Sequence, residues 1–172
     1  ITKKALTVTA DAQTKVYGSA DPQLTYTQTG LIDGDTLSGA LTRDAGENVG
    51  TYAINKCSLG NSNYTITFNS ANLTINAKPV TVTADAQTKV YGDNDPTFTY
   101  TTIGLVGTDS LIGSLTRISG ENVGTYAIGQ GSLSVGSNYT LSFTGNNLTI
   151  TPKPIVVTVT ATSPTTAGTT TQ

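Results

Sequence analysis

The sequence predicts an all-β chain of two tandem small β domains in an elongated arrangement, and three observations predict it. Apolar residues alternate with a period of two rather than 3.6. Gly, Asn and Asp interrupt that alternation often enough to leave only short runs. The 172-residue chain also carries its own pattern twice: "TVTADAQTKVYG" at residues 7–18 returns unchanged at residues 81–92.

The repeat sets the boundaries. A shift of 74 residues lays "GENVGTYAI" at 46–54 on the identical run at 120–128, and Tyr26 on Tyr100. Beyond residue 59 the shift becomes 75, because "SLGNSNYT" is answered by "SLSVGSNYT". One residue has been added in a turn, where an insertion costs least. "KP" joins the units. The expected division is therefore 1–77 and 78–152, followed by residues 153–172. In the last segment, residues 153–161 open like a third unit and are expected to form an added strand. The remainder, "TSPTTAGTTTQ", is Thr-rich and low in complexity.

Each element follows from local pattern. In "ALTVTA", Leu6 and Val8 point to one face while Thr7 and Thr9 point to the other. "LTYTQT", "TYAI", "NYTITF" and "NLTI" behave alike and are rich in β-branched and aromatic residues. "YGSADP", "GLIDGDT", "RDAGENVG" and "GNSN" read as turns. About six or seven short strands per copy result. One helical turn is expected at residues 31–37, capped by Asp33 or Asp35. The expected core of the first copy is Leu6, Val8, Val16, Leu24, Tyr26, Leu41, Tyr52, Ile54, Tyr64, Ile66, Phe68, Leu73 and Ile75. If one copy runs straight into the next, entry and exit must lie at opposite ends, which parallel first and last strands would provide. An immunoglobulin-like β-sandwich and a β-grasp-like fold both satisfy this; the sandwich is preferred because no clear helix is visible.

Composition excludes several classes. Charged residues make up 12% of the chain and the net charge is −2, with nine Lys/Arg and no His, Met or Trp. That balance offers no phosphate-tracking surface, so no nucleic-acid partner is expected. No apolar run approaches the roughly 18 residues that span a bilayer, so no membrane insertion is expected in this segment. A chain that starts without Met reads as processed or excerpted from a longer protein. Cys57, the single cysteine, aligns with Gly131 and cannot form an internal disulfide.

Candidate chemistry is sparse. Without His, and with one Cys lacking a base, the usual nucleophilic triads are absent. Glu47 and Glu121 are each the only Glu of their copy and make no acid/base pair. Asp33, Asp35, Asp93 and Asp95 could offer oxygens to Ca²⁺, but Gly107 stands where the first copy has Asp33, and Ser19 where the second has Asp93. No catalytic residue, cofactor or metal ligand is therefore assigned. Tyr17, Gly18 and Pro22, with Tyr91, Gly92 and Pro96, are read as rigid corners, and Tyr52 and Tyr126 as structural. Lys4, Lys15, Lys78 and Lys89 recur with Asn72 and Asn147. This allows a Lys–Asn cross-link, although lysines guarding strand edges are commoner. Ile155, Val156, Val157 and Val159 form the most β-prone uncharged run and are assigned to assembly.

The motifs resemble a known family. "VYG…DP" (residues 16–22 and 90–96), "GL…D" (30–35 and 104–109), "GTY" (50–52 and 124–126) and "NYT" (63–65 and 138–140) are similar to the MBG domain repeats of bacterial surface proteins and adhesins. The resemblance covers about 150 residues and stops at the tail. It implies a secreted, cell-surface, multi-repeat protein in an extracellular setting, without catalytic activity. The leading expectation is a structural stalk or spacer. A filament subunit using residues 153–161 as a donated strand is the first alternative, and a carbohydrate- or host-protein-binding module the second. Expected partners are neighbouring copies or adjacent repeats, with a glycan or host surface ligand as a further candidate.

Overall fold

The computed structural model describes residues 2–160. The first repeat runs through seven strands: β1 (Lys4–Ala10), β2 (Gln13–Val16), β3 (Tyr26–Thr29), β4 (Thr42–Arg43), β5 (Gly50–Asn55), β6 (Tyr64–Asn69) and β7 (Ala71–Asn76). The second repeats the series as β8 (Lys78–Ala84), β9 (Gln87–Val90), β10 (Tyr100–Ile103), β11 (Thr116–Arg117), β12 (Gly124–Gly129), β13 (Tyr139–Thr144) and β14 (Asn146–Thr151). Each repeat folds into two sheets, ordered β3-β1-β6 and β2-β7-β5-β4 in the first, with matching orders in the second.

The alternation in "ALTVTA" does what period two requires: Leu6, Val8 and Ala10 are buried while Thr7 and Thr9 are exposed. The facing sheet contributes Ile54, Leu73 and Ile75, all at most 1% exposed. In the second repeat Val80, Val82, Ile128, Leu148 and Ile150 form the equivalent cluster. Neither repeat lends a buried residue to the other's core.

The first and last segments of each repeat run parallel over their whole length. Lys4 to Thr9 pair with Tyr64 to Asn69, and Gln13 to Val16 pair with Leu73 to Asn76, so partners stay 60 residues apart while the pair crosses from one sheet to the other. In the second repeat the separation is 61 throughout; the extra turn residue is absorbed without disturbing register. The chain thus enters a repeat at one end and leaves at the other. A single residue, Ala77, separates β7 from β8.

The architecture is the expected one, all-β and in two tandem units: each repeat is a pair of sheets whose first and last segments pair parallel, β1 with β6 and β2 with β7, and no helix of the β-grasp kind occurs among the described residues. Several local expectations need correction. Residues 31–37 form a turn closed by the Asp35 amide on Ile32 O (3.0 Å), not a helical turn. Val16 is 38% exposed, because the inward position of β2 falls on Lys15. Residues 153–160 carry no strand. Their sequence matches β8, but β8 is held by β10 and β13 of its own repeat, and the described residues offer this stretch no such neighbours. Ala161 and the Thr-rich tail lie outside the described residues.

Candidate functional site

The site is built at the exit end of each repeat. On the four-stranded sheet, Lys15 of β2 pairs with Ile75 and Arg43 of β4 pairs with Ile54. Paired residues share a face, so both basic side chains project inward beside core aliphatics at the two edges of the sheet. Two acids from loops meet them there. Lys15 Nζ lies 2.6 Å from Asp21 Oδ1 and also contacts Glu47 Oε2. Arg43 forks onto Asp21 through Nε (2.6 Å) and Nη2 (3.0 Å), and its Nη2 also reaches Glu47. Lys89, Asp95, Arg117 and Glu121 reproduce the cluster in the second repeat.

A charge as enclosed as Lys15, whose side chain is 4% exposed, persists only when paired. The consequences appear in the titration of the group. Arg43 first, and then Lys15, hold the Asp21 carboxyl down to about 2 from 3.8. Arg117 and Lys89 do the same to Asp95. Asp21 and Glu47 in turn raise the Lys15 ammonium, which keeps it protonated.

The cluster fixes two loops. Arg43 Nη1 also donates to Gly46 O at 2.6 Å, its guanidinium sits 5.3 Å from the centre of the Tyr52 ring, and Tyr52 Oη donates to Asn48 O at 2.7 Å. Asp21, just before half-buried Pro22, pins the other loop. The two loops therefore stand rigidly side by side, presenting Tyr17 and Gly18 from one and Asn48 and Val49 from the other.

Those four residues meet the second repeat. Tyr17 Oη donates to Asp109 Oδ2 at 3.0 Å, and its ring meets Tyr139 edge-on, with centroids 5.3 Å apart at 76°. The Val49 amide donates to Asn138 Oδ1 at 2.9 Å, and Asn138 Nδ2 donates to Asn48 Oδ1 at 3.0 Å. Gly18, at φ +79°, leaves room for Val106: a Cβ there would lie 2.5 Å from Val106 Cγ2. On the receiving side, Tyr139 Oη donates to Asp109 and accepts the Val106 amide at 3.0 Å.

The residues singled out from sequence therefore divide. Tyr17 and Gly18 form the joint, and Tyr52 braces it. Tyr126 braces the second repeat through Asn122 O at 2.8 Å. Tyr91 is 47% exposed, and a Cβ on Gly92 would meet nothing within 4 Å. Pro96 follows Asp95 as Pro22 follows Asp21. Ile155, Val156, Val157 and Val159 are 76–92% exposed and take no part in either structure. Of the aspartates weighed for calcium, Asp35 accepts the Tyr64 hydroxyl at 2.5 Å and Asp95 belongs to the second charge cluster. Lys15 and Lys89, weighed for cross-links to Asn72 and Asn147, spend their ammonium groups on carboxylates.

Sequence pattern alone misses the charge clusters and the inter-repeat joint. A signal for the clusters is present in it: Lys15, Asp21, Arg43 and Glu47 all recur at a spacing of 74, whereas Asp33 and Asp93 do not.

Two-sheet units that take the chain in at one end, release it at the other and join through their end loops define a tandem β-repeat module. The chain belongs to the MBG domain (YGX type) family, which matches residues 6–74 and again 80–149. Its only Tyr-Gly pairs are Tyr17–Gly18 and Tyr91–Gly92, the corners just described. No curated protein matches the chain. Among the described residues no helix is long and apolar enough to cross a membrane.

Proposed function

We propose that the chain is a load-bearing spacer of an extracellular bacterial repeat protein, holding another part of that protein away from its anchor. One observation carries this reading: the terminal segments of each repeat lie side by side and parallel. Tension applied through the chain slides β1–β2 along β6–β7, loading all rungs of that ladder together instead of peeling them singly. The one-residue connection and the hydrogen-bonded joint add stiffness between units. The extracellular setting and the surface role come from the family resemblance. The spacer role requires no catalytic group.

Residual dipolar couplings of the intact chain test it. The spacer reading expects one alignment frame shared by both repeats, with small-angle scattering giving an end-to-end pair. Independent tumbling, or a side-by-side pair, would end it.

A second reading rests on residues 153–160. Ile155, Val157 and Val159 fall on one face in the β8 pattern and pair with no strand among the described residues, which suits a strand donated to a neighbouring molecule's sheet edge. Truncation after residue 152 that leaves the oligomeric state unchanged would remove it.

A further inference from the structure

The second repeat carries the same braced corner as the first, and none of the other described residues rests on it. Its charge cluster is complete, and Tyr126 holds Asn122 as Tyr52 holds Asn48. The side chains so presented are open: Tyr91 is 47% exposed and Val123 53%.

The first repeat, at its opposite end, carries the matching receiver, which the described residues also leave uncovered. Tyr64 Oη accepts the Ile32 amide at 3.0 Å and donates to Asp35, as Tyr139 does with Val106 and Asp109. Ile32 is 52% exposed. With Asp35, Asn63 and Tyr64 it lines an open recess of about 590 Å³. The receiver is thus fully arranged before anything docks, and Asp35 Oδ2 stands where Asp109 Oδ2 takes a second tyrosine.

We propose that the Tyr91 corner is a docking surface for the receiving end of a further repeat of the same kind, tethered in the same chain. Such a partner presents an aliphatic side chain where Val106 stands, a tyrosine-bound Asp where Asp109 stands, and an Asn where Asn138 stands. The occupied joint between the two repeats is its template. Gly92 at φ +89° keeps the approach clear, as Gly18 does for Val106. This inference extends the spacer reading and rests on the same joint.

The test is amide hydrogen exchange on the full chain and on a version in which residues 77–151 are duplicated in tandem. In the parent, the Val49 amide is protected through Asn138 and the Val123 amide exchanges freely. In the duplicated chain, one of the two Val123 amides slows at least about fivefold, the factor one ordinary hydrogen bond supplies, and Asn138→Ala in the added unit abolishes that slowing. If Val49 is protected but both Val123 amides stay fast, the docking surface is refuted while the spacer stands. If Val49 itself is unprotected, the spacer joint fails. Protection of Val123 that appears in the parent and grows with concentration would put a second molecule there and overturn the tethered assignment.

Discussion

Tyr17 donates its hydroxyl across the repeat boundary to Asp109, 92 residues away in sequence, at 3.0 Å. The same carboxylate oxygen accepts Tyr139 from its own repeat, so one aspartate ties the corner at the exit end of one unit to the entry end of the next.

Tyr17→Phe removes this bond and keeps the ring against Tyr139. The Val49 amide is expected to exchange faster by about fivefold, the factor one ordinary hydrogen bond supplies. The unfolding midpoint of each repeat stays put because neither core is touched. A fall in the midpoints would show that the joint supports the cores.

Gly18 and Gly92 share a left-handed backbone but not their surroundings. Alanine at either position costs about 1–2 kcal/mol for the conformation. Only Gly18→Ala also drives a methyl into Val106. It is expected to alter the relative orientation of the repeats in dipolar couplings, with partial rescue by Val106→Ala. Gly92→Ala leaves the orientation unchanged.

Breaking the charge cluster is costly in one direction only. Asp21→Ala leaves enclosed Lys15 with Glu47 alone and is expected to destabilise the first repeat by about 2 kcal/mol in denaturant titration. Lys15→Met removes the enclosed charge, leaves Arg43 to both acids, and is expected to lie within about 1 kcal/mol of the parent.

Asp21 and Asp95 titrate at about 2 in the folded chain, against 3.8 ordinarily. The unfolded chain takes up these protons first. The stability the two carboxylates supply is complete above about pH 4 and is lost as pH falls from there toward 2. With no His in the chain, thermal midpoints should be flat from about pH 7 to 5 and drop below about 4. The pair of variants Asp21→Asn and Asp95→Asn should start lower and fall less steeply. A main decline near pH 6 would contradict the assignment.

Cys57 is the one non-glycine residue with positive φ (46°) among the described residues, and its counterpart Gly131 sits at φ 59°. Cys57→Gly relieves about 1–2 kcal/mol of backbone strain against about 0.4–1 kcal/mol of added unfolded-state entropy. A rise in the first repeat's midpoint is the expected result; a decrease would mean the thiol makes a compensating contact.

The sequence shows its strands clearly because each core strand is half-wet: Leu6–Thr7–Val8 and Leu73–Thr74–Ile75 alternate faithfully between inside and outside. Parallel pairing of the ends is foreseeable from the seam between copies, since chain continuity demands it. The charge cluster is hidden because a lysine in a strand ordinarily faces water, and period two cannot say which parity of "QTKV" is inward. The joint is hidden for a different reason. Tyr17 and Tyr91 have identical local sequence, and only three-dimensional adjacency gives one of them Asp109 and leaves the other open.

Pulling a single molecule by its two ends tests the central claim most directly. Shear-loaded, separately cored repeats predict two discrete ruptures, each releasing about 20–25 nm of chain at roughly 3.4 Å per residue, with the ladder between the terminal strands setting the force. One merged event, or gradual low-force extension without steps, would contradict it.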